Sequence, residues 1–140
     1  MSKSEKLVDF FLQLLTDQNF KIVLNTLNIL NMILGMPEQC QRYVKIMQNE
    51  MPADQRWGLS NAILGRHIPQ IVKKLADSKN IIRQEAIRCL SYMNEIMRSG
   101  NKKDNNFIAL ILPYLNNSSN WHIREELLNL LIKCFLHSKD

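Results

Sequence analysis

The chain has 140 residues, a formal net charge of +5 from 18 basic and 13 acidic residues, and a hydrophobic content of 46%. That length and apolar content suit one domain with a continuous core, and they argue against a disordered tail. No stretch reaches the roughly 20 uncharged apolar residues that a membrane span needs, and residues 1–6 lack a following signal-type apolar segment. We therefore expect a cytoplasmic protein with no membrane partner.

Apolar residues recur at helical spacing along the chain and predict three pairs of helices. The first helices of the pairs are expected over residues 5–16, 59–76 and 105–116, and the second helices over residues 20–34, 81–98 and 121–136. Pro69 and Pro113 fall inside two of the first helices, where we expect a kink or a late start. A short amphipathic helix is predicted at residues 37–49, between the first and second pairs.

The turn inside each pair carries a repeated pattern of an apolar helix end, a polar turn and an apolar helix start. The three copies read LTDQNFKIV from Leu15, LADSKNIIR from Leu75 and LNNSSNWHIR from Leu115. With one extra residue in the third copy, apolar positions coincide: Ile22, Ile82 and Ile123, then Leu27, Ile87 and Leu128, then Leu30, Leu90 and Leu131. The first two copies are 60 residues apart and the last two 40, so an insertion separates the first two.

The polar residues of these turns favour helix capping, since Asp17, Asp77 and Asn117 can accept bonds from the N–H groups that open the next helix. Helix pairs repeated at about 40 residues are typical of solenoids, in which neighbouring pairs bury each other's apolar faces. We therefore predict an all-α, HEAT/armadillo-like α-solenoid of about three helix pairs with an inserted short helix. Residues 1–140 form one domain, with repeats at about 5–35, 59–98 and 105–137 and the insertion at 36–58.

Residues that carry catalysis or bind metals are not found in a usable pattern. The sequence has no P-loop, GxSxG, GxGxxG or HExxH motif. Its cysteines are far from one another and form no CxxC pair, and its histidines are also far from one another: Cys40, Cys89 and Cys134, and His67, His122 and His137. We expect the protein not to be an enzyme and to need no metal or cofactor, and we interpret the cysteines as buried thiols.

Several other side chains leave two interpretations open. Trp121 either offers a flat contact to a partner or packs against the neighbouring repeat. Arg83 and Arg124 follow an inward isoleucine, and we interpret them as bridges to a carboxylate or carbonyl of the adjacent repeat. Four methionines at helical spacing are interpreted as core rather than as a binding groove: Met32, Met36, Met93 and Met97.

A basic cluster at the end of the second pair suits an acidic partner. Lys73, Lys74 and Lys79, with Arg66 nearby, would attract such a surface, although a merely solvated helix end explains them equally well. Nucleic acid is another acidic partner that a basic protein could bind, but the sequence disfavours it because glutamates interrupt each basic run.

Two of the turns resemble those of a known family. The segment DSKN at 77–80 leading into Ile82 and Arg83, and the segment NWHIREELLN at 120–129, are similar to TOG-domain HEAT repeats. The second is close in wording to crescerin and CLASP-type TOG domains. The order of motifs resembles the second, third and fourth of the family's six repeats, and the family's first-turn tryptophan has no counterpart, since Trp57 lies in the insertion.

This resemblance implies a protein-binding module for tubulin or microtubules, in a cytoskeletal protein of the cytoplasm, the cilium or the centrosome. The turns would line one edge and touch tubulin through nine residues: Asn19, Phe20, Lys21, Ser78, Lys79, Asn80, Asn120, Trp121 and His122. The alternative is a general HEAT/armadillo adaptor that binds a peptide or helix of another protein, or forms a homodimer through its terminal repeat, without tubulin binding. That alternative predicts exposed residues on the second helices of the pairs.

Overall fold

The protein is all-helical in the part of the chain that its computed structural model describes, which is residues 3–36, 38, 59–99, 107–117 and 119–137. Those residues form α1 (Lys3–Leu15), α2 (Phe20–Gly35), α3 (Leu59–Lys73), a 3-10 helix (Lys74–Ala76), α4 (Asn80–Ser99), α5 (Phe107–Asn117) and α6 (Trp121–His137). No strand occurs among them. The predicted all-α class is therefore confirmed, whereas the predicted helix at residues 37–49 lies outside the described residues.

The helix ends lie within two residues of the positions predicted from the turns and the apolar periodicity. The helices α3 and α5 both continue past their internal prolines, Pro69 and Pro113, although proline donates no backbone N–H. The 3-10 turn at Lys74–Ala76 then ends the first helix of the second pair. None of the helices described is long and apolar enough to cross a bilayer.

Helix packing joins each pair to its neighbour along the chain. Within the pairs, α1 packs on α2, α3 on α4 and α5 on α6. Between pairs, α1 contacts α3 and α3 contacts α5, while α2 contacts α4 and α4 contacts α6. The contact between α2 and α4 is the most extensive, and α4 also touches α5, so α4 lies at the centre of the described structure.

The core is a set of apolar stripes on these helices. On α4 the buried residues recur at helical spacing: Ile82, Ala86, Cys89, Leu90, Met93 and Met97. On α6 they are Ile123, Leu127 and Leu130, as predicted. Such stripes exist because positions three, four and seven residues apart share one face of a helix.

The first pair departs by one residue from the predicted alignment. Ile22 is 38% exposed, and Val23 takes the buried position that Ile82 and Ile123 hold in the other pairs. With Val23 as the start, the buried spacing of α2 continues through Leu27, Leu30 and Leu34 and matches that of α4. The prediction was wrong here because Ile22 and Val23 are both β-branched apolar residues, and only packing on α4 decides between them.

The four methionines divide between core and surface. Met93 and Met97 are buried in α4, as interpreted, whereas Met32 is exposed on α2 and Met36 is exposed at its C-cap, so the core interpretation is wrong for these two. Met32 follows the buried Asn31, and adjacent helical residues point about 100° apart, while Met36 has already left the helix.

Two close contacts fix α2 against α4. The buried Asn31 side chain donates through Nδ2 to the Glu85 backbone carbonyl at 3.0 Å and to Glu85 Oε2 at 2.8 Å. At the end of α2, a Cβ on Gly35 would lie 2.8 Å from Cζ of the Tyr92 ring. The missing side chain of Gly35 therefore lets the Tyr92 ring approach the α2 backbone.

Candidate functional site

The first turn is built by two polar side chains in series. Asp17 Oδ1 accepts a hydrogen bond from the Asn19 N–H at 2.8 Å, and Asn19 Oδ1 accepts one from the Lys21 N–H at 3.0 Å. Asn19 is therefore the residue that caps α2, and the capping role predicted for Asp17 is wrong, because Asp17 closes the turn one step earlier. Phe20 and Lys21 follow the cap and are exposed.

The second turn repeats the first half of that arrangement. Asp77 Oδ1 accepts from the Lys79 N–H at 2.8 Å, so Asp77 also closes its turn rather than capping the helix. Arg83 Nη1 donates to the Asp77 carbonyl at 2.6 Å, and Nη2 lies 3.4 Å from Asn80 Oδ1. The predicted bridge from Arg83 to the adjacent repeat is wrong for these two bonds, because both partners belong to the turn that precedes Arg83 itself. Ser78, Lys79 and Asn80 are exposed.

The third turn presents an aromatic pair. Asn120 Oδ1 accepts from the His122 N–H at 2.9 Å and caps α6, the position for which Asn117 was predicted. Trp121 is 58% exposed, and its ring stacks on His122 with the centroids 3.6 Å apart. Trp121 is therefore largely exposed and not buried against the neighbouring repeat, and its contact with a partner stays a prediction. Arg124 is exposed on α6, so its predicted bridge to a neighbouring repeat is not supported.

Contacts between elements join the first turn to the second and bring the 3-10 helix before the second turn onto α6. The Lys79 ammonium lies over the Phe20 ring, 4.2 Å from its centroid, and so joins the second turn to the first. The 3-10 helix Lys74–Ala76, which leads directly into the second turn, packs against α6, the helix that follows the third turn. We call the exposed residues of these three turns the turn ridge.

The basic cluster is only partly available to a partner. Lys73 and Lys79 are exposed near the second turn, and Lys74 is half-buried. Arg66 instead forms an ion pair with Asp9 of α1, so it links α1 to α3 rather than adding to the ridge. Because both side chains of that pair are about half exposed, it contributes little to stability.

Two ridge residues were not predicted from the sequence. Ile22 is 38% exposed at the start of α2, and Ile81 is 50% exposed at the start of α4. Both belong to tandem apolar pairs, Ile22 with Val23 and Ile81 with Ile82. Adjacent residues in a helix point about 100° apart, so only one of each pair can face the core. These pairs of adjacent apolar residues were the sequence signal that could have identified Ile22 and Ile81 as exposed.

Within the described ranges, no group of His, Cys, Asp or Glu side chains could hold a metal ion. Burial raises the pKa of the Cys89 thiol well above its usual value, with a smaller contribution from the nearby Glu85 carboxylate, so Cys89 stays protonated and unreactive. No family model, curated protein or solved structure matches the chain.

Proposed function

We propose that the chain is a protein-binding module: a HEAT/armadillo-like α-solenoid of the TOG type that contacts tubulin or microtubules through the turn ridge. The observation that carries the proposal is the contact of Lys79 with Phe20, which sets the first two turns side by side. The solenoid interpretation is supported by the packing of each helix pair on its neighbour in chain order. In this proposal the protein works in the cytoplasm on the cytoskeleton, at the cilium or the centrosome, and it binds without catalysing a reaction.

The chemistry of the ridge suits an acidic protein surface. Exposed apolar side chains, Phe20, Ile81 and Trp121, alternate with the ammonium groups of Lys21 and Lys79. Tryptophan and other aromatic residues dominate the affinity of protein interfaces when a partner covers them. The lysines would accelerate association with an acidic partner and orient it. Because the hydrogen bonds within the turns fix the backbone that carries these side chains, less ordering of the backbone is needed on binding.

The first test is co-migration of the protein with unpolymerised tubulin on size-exclusion chromatography, at low and moderate salt. We expect a shifted complex that the double substitution Lys79→Ala and Trp121→Ala abolishes, while circular dichroism shows an unchanged helical fold. The matched control is Asn129→Ala, an exposed position two turns farther along α6, which should leave the complex intact. Absence of a complex with the unchanged protein, or a complex that survives the double substitution, contradicts the proposal.

A second function is favoured by the outer side of α2. Ile29, Met32 and Met36 are 46%, 63% and 52% exposed, which is the pattern expected of an adaptor that takes a helix or peptide on its second helices. Under that function, Met32→Glu should abolish binding of a partner, and the turn-ridge substitutions should not. The chromatography with tubulin separates the two functions, because under the second function the unchanged chain forms no complex with tubulin.

A further inference from the structure

The last helix, α6, has a second apolar face on the side opposite its buried stripe. Leu128, Ile132 and Leu136 recur at four-residue spacing and are 52%, 57% and 66% exposed. Trp121 extends the same face to the first turn of the helix, where it is 58% exposed. We call these four residues the α6 stripe. A helix that is apolar on opposite sides is typical of one covered on both sides.

Two exposed charged residues of α6 make the stripe complementary to itself. Glu125 lies on the stripe near its beginning. Lys133 follows Ile132 and therefore lies about 100° round the helix, at the edge of the stripe near its end. The midpoint between these two residues falls between Leu128 and Ile132. A second α6 running antiparallel over that midpoint would therefore bring each glutamate opposite the lysine of the other copy. The leucine and isoleucine of the two copies would meet at the centre.

We propose that two copies of this chain associate through the α6 stripe, with their α6 helices antiparallel about a twofold axis. The contact is isologous, so each charge pair occurs twice, and the same surface serves both copies. The exposed face of α2 does not meet this requirement. Its only charged residue is Lys21, so a second copy would bring like charges together without an acidic partner.

The size of the stripe sets the strength of the dimer. From Trp121 to Leu136 the helix rises by about 22 Å, and a helix face is about 10 Å wide. A contact confined to one such face is smaller than a standard specific interface, so the proposed dimer is weak and transient. The dimer must therefore be sought over a range of concentrations.

Sedimentation equilibrium of the full chain, from low micromolar to submillimolar concentration, measures this association directly. We expect the mean mass to rise from the monomer value of 16.4 kDa towards twice that value. Ile132→Glu places a carboxylate at the centre of the contact and should weaken the dimer at least tenfold without changing the helical circular dichroism. Ile29→Glu, at a comparably exposed position of α2, is the matched control and should leave the dimer unchanged.

A charge exchange tests the antiparallel arrangement itself. Glu125→Lys alone and Lys133→Glu alone each oppose like charges in a dimer, so each variant should dimerise several-fold more weakly than the unchanged chain. An equimolar mixture of the two variants restores both charge pairs and should recover the association. A chain that stays monomeric at every concentration, a dimer that survives Ile132→Glu, or a mixture no stronger than its components overturns the proposal. None of these variants alters Trp121, so the result is independent of tubulin binding through the turn ridge.

Discussion

The helices α4 and α6 have similar apolar sequences but different surroundings. In α4, which packs against α2, α3, α5 and α6, Leu90 and Met93 are fully buried. In α6 the stripe through Leu127 is buried, but Leu128 and Ile132 on another side are more than half exposed. The comparison shows that burial of an apolar residue here depends on the position of its helix in the stack as much as on the helix's own pattern. Substitutions in α4 should therefore change stability, and those on the outer side of α6 should change association.

The largest effect is expected from Leu90→Ala in the centre of α4. Leu90 is fully buried, and truncating such a leucine removes apolar contact and leaves a cavity, at a cost of about 2–5 kcal/mol in the free energy of unfolding. Leu128→Ala in α6 is the matched control, since its side chain is 52% exposed, and we expect a change within about 0.5 kcal/mol. Urea unfolding at low protein concentration measures both. Equal losses would contradict the comparison.

A smaller loss is expected from Asn31→Ala, which removes a buried polar bridge between α2 and α4. The substitution deletes the bonds from Asn31 Nδ2 to Glu85, for an expected cost of about 1–3 kcal/mol. Asn31→Asp keeps the shape, removes the donor and sets a second carboxylate beside Glu85, so it should cost more than Asn31→Ala. Urea unfolding of both variants checks that order, and the reverse order would contradict a donor role for Asn31.

The Asn31 carbonyl makes a further distinction possible. Asn31 Oδ1 is buried and has no hydrogen-bond partner in the structure. The cost of burying this oxygen without a partner therefore cancels part of the stability that the Nδ2 hydrogen bonds contribute. Asn31→Leu removes that unsatisfied acceptor and fills the space with apolar atoms. We therefore expect it to cost less than Asn31→Ala, and the same unfolding measurement tests this.

The sequence predicts the features of this fold that depend on local interactions, and it misses those that depend on packing between helices. The positions of the turns were predictable because polar residues concentrate there, but the capping side chains were not, since Asn19 and Asn120 take the role predicted for Asp17 and Asn117. The buried position at the start of α2 was not, because Ile22 and Val23 fit the pattern equally well until α4 is placed beside them. The partners of Arg83 were missed for a related reason, since its long side chain can reach several carbonyls and only the turn geometry selects one.

The turn ridge likewise combines features that local sequence predicts with features that only helix packing determines. Its nine predicted residues follow from the positions of the turns, which local sequence determines. The contact of Lys79 with Phe20 joins residues of different pairs and depends on how closely α2 packs on α4. The open side of α6 was also beyond sequence analysis, because periodicity identifies an apolar face but does not tell whether another helix covers it.

Gly35→Ala tests how closely α2 approaches α4. Alanine is favoured over glycine in a helix by up to about 1 kcal/mol, but its Cβ would lie 2.8 Å from Tyr92 Cζ. Overpacking of this kind typically costs about 1–3 kcal/mol, so we expect a net loss of about 1 kcal/mol. In a Tyr92→Ala background the obstruction is gone, and the same substitution should become stabilising. A double-mutant cycle by urea unfolding measures this, and an identical effect in both backgrounds would show that the ring does not limit the approach.

Among the substitutions at contacts between helix pairs, Lys79→Ala should change stability least. Its contact with Phe20 is a cation–π interaction at an exposed site, worth about 0.5–1 kcal/mol, and water can replace part of it. Lys79→Met keeps most of the apolar stem and removes the charge, so comparing the two variants by urea unfolding separates packing from electrostatics. A loss above about 2 kcal/mol would mean that Lys79 supports the fold. If the variant keeps its stability but no longer co-migrates with tubulin, Lys79 acts in binding and not in the fold. A substitution of a buried residue in α4 cannot make this distinction, because it changes stability as well.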